Sequence, residues 1–310
     1  MAVRRARRRA LLFASSSLVL LFALAARVAW AAEAGAEPPF LDATALAPAA
    51  VAPLAREQPG VHVAGSGSGM VVCRALGAAL FPEGASTRLV VHESIGSTGG
   101  VRAVADGVID IGVVTRPLHA HERALGLVLV PFARVPAVVA AHPGVRDEGL
   151  TSDALLAIHR GERDHWADGT PLVLLLRERG DSSHAAFARV LPGFREIDDA
   201  AIAQRRARVL YHDEALVRAV LSIQGSVGIS DAVLVHAASA PPRVLAIDAR
   251  LPTEEAVTSG AYPFVKEMAF VLRGDAPPGA RALVERTRSA EGAAVLRALG
   301  AVPIDSEEAR

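Results

Sequence analysis

A chain of 310 residues, 51% of them hydrophobic, is long enough for one or two domains with a proper core. Its 33 basic and 33 acidic residues balance only through six arginines near the start (Arg4, Arg5, Arg7, Arg8, Arg9 and Arg27); cut after Ala31, the chain carries about −6. That acidic surplus argues against nucleic acid and anionic membrane as main partners, but not against a small anion gripped by local dipoles.

Residues 1–31 read as a signal peptide. Arg4–Arg9 is a basic start, Leu11–Ala26 is apolar, and Ala29-Trp30-Ala31 offers small residues for cleavage. No cysteine lies nearby to carry a lipid, and an uncleaved anchor is the alternative. Export to the periplasm is expected. Residues 32–59, rich in Ala and Pro, form a loose lead-in. The single cysteine, Cys73, excludes an internal disulfide and reads as a small buried residue among Met70, Val71, Val72 and Leu76.

The mature part begins with a strand at Val61–Ala64, a glycine/serine loop at Gly65–Gly69, and a helix at Met70–Leu80. The pattern repeats from Val90: a strand at Arg88–His92, a loop at Gly96–Gly100, a helical stripe of Val101, Val104, Ala105 and Val108, and a strand at Asp110–Thr115. A glycine loop that opens a helix leaves N–H groups unpaired where the dipole favours negative charge, and Ser97 and Thr98 add hydroxyls. Two such loops on neighbouring parallel strands place both at one carboxyl edge, where α/β folds bind ligands.

Leu127–Ala141 is extended and apolar with two prolines, which fits a chain crossing between lobes better than a helix. Beyond it the reading gives a helix from Thr151 or Ser152 to Arg160, a polar turn around Trp166, and a strand at Leu172–Leu176. Next come a loop at Arg177–Ser183, a helix capped by Asp213, and a strand at Gly225–Ile229. From Arg243 the chain returns through strands at Val244–Ile247 and Pro263–Leu272 and helices at Pro278–Ser289 and Glu291–Leu299. The expected class is α/β with two lobes, 60–136 plus 240–310 forming the first and 137–239 the second, joined by a hinge around an interlobe cleft.

In order along the chain, SGSG at Ser66–Gly69, GSTGGVRAVADGVIDIG at Gly96–Gly112 and TRPL at Thr115–Leu118 are followed by LTSDALLAIHRGERDHWADGTPL at Leu150–Leu172 and RERGDSSHAAF at Arg177–Phe187. GSVGIS at Gly225–Ser230, PTEEAVTSGAYPF at Pro252–Phe264 and SAEGAAVLRALGAVPI at Ser289–Ile304 complete the set. In this order the chain resembles the phosphate-binding proteins of bacterial ABC importers, which have the type II periplasmic binding protein fold. The resemblance implies an oxyanion bound between lobes by Ser66, Ser68, Gly69, Ser97, Thr98, Arg177, Ser182 and Ser183, with Thr115 and Arg116 at a strand end beside it. It implies no enzyme activity, no cofactor and no metal. The partners it implies are phosphate or a related oxyanion and ABC permease subunits, with the chain a monomer.

His165 stands where that family has Asn, and two further departures bear on the ligand. Thr115 stands where a phosphate binder has an aspartate that accepts the ligand's proton, and Asp181 stands where it has serine. Asp181 either replaces the acceptor from across the cleft or caps the helix that follows. The departures keep alive an alternative: a sensor or interaction module on the same fold with an altered ligand. His119-x-His121 lacks a third ligand at helix-face spacing for zinc. Ser182, Ser183 and His184 are adjacent in sequence, and adjacent residues rarely serve as nucleophile and base to each other.

Overall fold

The computed structural model describes residues 59–304 apart from Glu83 and Ser86, so the expected signal peptide and nearly all of the expected lead-in lie outside the described residues. β1 (Val61–Gly65) is buried at all five positions, as expected for a central parallel strand. It lies between β2 (Leu89–Val91) and β3 (Ile111–Val114), parallel to both. A left-handed Gly65 turns the chain out of β1; a Cβ there would stand 2.1 Å from the Val113 carbonyl oxygen. Both glycine/serine segments, expected as loops, are first helical turns. The helices run Gly67–Leu80 and Gly96–Ala105, and Ser66 caps the first by accepting from the Gly69 N–H.

β4 (Val128–Ala141) is the crossing strand, continuous over 14 residues despite Pro131 and Pro136. Opposite Met268 and Ala269 the pairing register shifts, leaving Phe132 unpaired beside Pro131, whose missing N–H such an irregularity accommodates. The residues up to Pro136 pair with β10 (Val265–Leu272) and, at Ala133 and Arg134, with β11 (Val302–Pro303). The residues from Ala137 pair with β8 (Ser226–Asp231) and β9 (Arg243–Ile247). β6 (Val173–Arg177) lies between β8 and β7 (Arg208–Leu210), and β5 (Gly149–Leu150) extends β9. The main path is therefore β2-β1-β3-β10-β4-β8-β6-β7.

Each half has its own core. In the first, Val63, Met70, Cys73 and Leu76 pack with Phe132 and Phe270, whose rings stack at 4.1 Å. Burial pushes the Cys73 thiol up to about 12. In the second, Leu176, Phe187 and Phe194 pack with Tyr262 and Phe264. Tyr262, from the SGAYPF segment, donates its hydroxyl to the Ala137 carbonyl at 2.7 Å, which fixes that segment against β4 where the halves meet. Leu245 and Ile247 of β9 also pack in the second core, so the return to the first half comes with β10, later than the expected position near residue 240.

Candidate functional site

Four helix N-termini meet at one cleft of about 670 Å³. Ser66 and Gly67 follow β1, Gly96 and Ser97 follow β2, Asp181 and Ser182 follow β6, and His212 and Asp213 follow β7. The first two belong to one half of the sheet and the last two to the other. Of the residues expected to bind, Ser66, Ser68, Ser97, Thr115, Arg116, Arg177, Asp181 and Ser182 line this cleft. Gly69, Thr98 and Ser183 are set back from the wall. The Gly69 N–H is used by the Ser66 cap, Thr98 accepts from Arg116 at 2.7 Å, and Ser183 is buried behind Ser182.

The hydroxyls are wired across the cleft. The Thr115 N–H donates to Ser97 Oγ at 3.2 Å, and Thr115 Oγ1 donates to Ser182 Oγ at 3.1 Å. Lys266, from β10, donates to Ser182 Oγ and Ser183 Oγ at 3.1 Å each and to Asp231 Oδ2 at 2.7 Å. All three ammonium protons are therefore placed. A hydroxyl oxygen that already accepts keeps its own proton to give, so Lys266 leaves Ser182 and Ser183 as donors. Sequence reading missed this residue. Its signal was composition, because Lys266 is the only lysine in a chain of 33 basic residues.

Arg177 is buried and turned toward the protein's own acceptors. Nη1 donates to the Leu210 carbonyl at 2.9 Å, Nη2 to Glu178 at 2.9 Å, and Nε to Asp181 at 3.4 Å. Asp213 Oδ1 lies 3.3 Å from Nη2. The planar fork expected to face an anion thus holds carboxylates from three positions. Arg116 forms a two-pronged pair with Glu122, both contacts at 2.7 Å, and this holds the Glu122 carboxyl down to about 2.

Asp181 is a cap. Its Oδ1 accepts from the N–H groups of Ser183 and His184, and its Oδ2 faces Arg177 Nε at 3.4 Å. Of the two roles open to it from sequence, the cap is the one its hydrogen bonds display. Asp213, read from sequence as a cap, is instead the first residue of the Asp213–Ser222 helix, with His212 at the cap position. Its carboxyl reaches over Gly67 of the opposite half, where an added Cβ would meet Oδ2 at 1.9 Å. Desolvation raises the Asp213 pKa to about 6 against the pull of Arg177.

That shift has a stability consequence. A carboxyl whose folded pKa is raised contributes stability that is present below its unfolded value near 4 and lost as pH rises through 6. Asp213→Asn should therefore raise the unfolding free energy, measured by urea titration at neutral pH, by about 1–2 kcal/mol, and the gain should fade below about pH 5. A gain of the same size at both pH values would show that the charge is not its source.

Comparisons with solved structures give the same architecture. A putative phosphate ABC transporter substrate-binding protein with bound phosphate from Clostridium perfringens superposes with a TM-score of 0.68 at 18% identity, covering 80% of this chain and 100% of that one. An ABC-type phosphate transport receptor from Vibrio cholerae gives 0.56 at 16%, covering 78% and 99%. A phosphate-binding protein from Stenotrophomonas maltophilia gives 0.56 at 14%, covering 81% and 92%. At such identities the likeness establishes the fold, the mixed α/β fold of type II periplasmic binding proteins. No curated protein matches the chain. Residues 45–289 match the PBP superfamily domain, and the chain, with its two half-sheets closed around one cleft, belongs to that family.

Proposed function

We propose that this chain is an exported solute-binding protein that takes phosphate or a related oxyanion between its two halves and delivers it to an ABC permease, without catalysis. The observation that carries the reading is convergence. Hydroxyl donors at Ser66, Ser97 and Ser182, four helix N-termini, and the cations Arg177, Lys266 and Arg116 all meet in one cleft. The halves would move about the strands they share, residues 60–136 with 265–304 against 137–264, as in other hinged binders.

Thermal unfolding across an anion panel tests it. Phosphate at a hundred times its dissociation constant should add about 2.7 kcal/mol of stability. If phosphate, arsenate, sulfate and phosphonates all leave the transition unmoved, oxyanion capture is excluded. One observation favours a sensor or interaction module instead: the Arg177 fork is committed to internal carboxylates. Anion binding without any effect of an adjacent permease on uptake would favour that second reading.

A further inference from the structure

The hydroxyls and helix ends of the cleft suit an oxyanion, but two of its lining side chains have nothing to give one. Ile95, from the first half, is 49% exposed, and Tyr211, from the second, is 70% exposed. The other exposed large apolar side chains among the described residues, Leu125, Val128, Leu129 and Leu251, do not line the cleft. A single apolar residue in water needs no explanation. Two at the mouth of one polar cleft, one contributed by each half, ask for a ligand with an apolar part.

The two occupy matching places. Ile95 ends the turn from β2 into the Gly96–Ala105 helix, and Tyr211 opens the turn from β7 into the Asp213–Ser222 helix. Each therefore stands beside helix N–H groups that favour an anion. Ile95 is fixed there: its N–H donates to the Gly65 carbonyl at 3.1 Å, and its side chain lies over Gly99, where an added Cβ would stand 3.1 Å from Ile95 Cβ. Tyr211 makes no side-chain hydrogen bond and no ring contact among the described residues. The exposed charges near them are matched, Glu93 with Arg74 at 3.2 Å and Glu214 with Arg218 at 3.6 Å. The surface Ile95 and Tyr211 offer is thus apolar and uncharged. The cleft, at about 670 Å³, falls within the roughly 300–1,000 Å³ of sites that enclose small organic ligands, and a bare oxyanion fills a small part of it.

We infer that the ligand of this cleft is a phosphoryl group carrying one uncharged apolar substituent, an organic phosphonate or phosphate monoester, with the substituent held by Ile95 and Tyr211. The inference rests on the oxyanion-capture reading above and names its substrate class. The phosphoryl oxygens take the hydroxyls of Ser66, Ser97 and Ser182, and the substituent on phosphorus leaves that set toward the two apolar side chains. An alkyl or aryl group laid against them gives up its contact with water, and an aryl group also stacks on the Tyr211 ring. Bare phosphate gains neither.

The test is calorimetric titration of the full mature chain at neutral pH with inorganic phosphate, phenylphosphonate and phenyl phosphate. At least one phenyl compound should bind the wild type tenfold or more tighter than inorganic phosphate, about 1.4 kcal/mol, and the tighter of the two tells a phosphonate from an ester. Tyr211→Ala and Ile95→Ala should each lower the phenyl-to-phosphate affinity ratio by about threefold or more, while Tyr211→Phe, which keeps the ring, and Leu251→Ala should hold it. Both side chains are exposed, so neither substitution opens the core. A wild-type ratio below tenfold for both phenyl compounds overturns the inference and leaves capture standing. A preference that survives Tyr211→Ala combined with Ile95→Ala overturns it as well, because the substituent then sits elsewhere. A wild type that binds none of the three, with the wider anion panel also silent, removes both readings.

Discussion

Lys266→Met is expected to destabilise the protein by about 3–5 kcal/mol, read as a fall in the urea midpoint, because it strands a buried carboxylate. Asp231 is fully buried and Lys266 nearly so, and their contact is 2.7 Å. Removing both charges in Lys266→Met with Asp231→Asn should recover most of the loss, since an asparagine oxygen can still accept the Leu234 N–H that Asp231 Oδ1 accepts. Oxyanion affinity should not recover with it. Without the ammonium, Ser182 and Ser183 are free to turn their protons toward each other or toward Thr115, and an affinity loss of about tenfold is expected. A double variant that is stable and binds phosphate as the wild type does would reduce Lys266 to a structural ion pair.

The second large effect is expected at Arg177. Arg177→Lys keeps the positive charge beside Asp181 and Asp213 but cannot serve the Leu210 carbonyl, Glu178 and Asp181 together, as the guanidinium does. The fold should survive with a modest loss of stability. Phosphate affinity should fall roughly 30-fold, about 2 kcal/mol, if an anion takes over part of the guanidinium's donor set when it binds. Titration calorimetry decides it, and an affinity within about threefold of wild type would take Arg177 out of the contact set.

The order of strands and helices was legible because local chemistry wrote it. Apolar runs with a period of two or none gave β1, β3, β6 and β10. A hydroxyl residue before a helical stripe gave the start at Thr151 or Ser152, and Thr151 is the one that caps. Where glycine and serine cluster, a loop and a first helical turn look alike in sequence, so the helices at Gly67 and Gly96 start earlier than expected. β9 was grouped with the wrong half because its partner, Val139–Ala141, is about a hundred residues away and leaves no local mark.

The site was legible in its hydroxyls and in Arg177, which sit beside glycine turns, and illegible in its electrostatics. Asp213 looks like any acid in a first helical turn. Its direction toward Arg177 and Gly67 depends on how β7 lies beside β6, which no local pattern records. Lys266 sits in an apolar stretch where strand alternation would place it on either face. Only the rarity of its residue type marked it.

That rarity gives the molecule a built-in gauge. Since no other side chain carries a primary amine, reagents that acylate amines can reach Lys266 only when the two halves part or the fold opens. The rate at which it is modified, followed by mass with and without an oxyanion present, would report opening of the cleft without any introduced label.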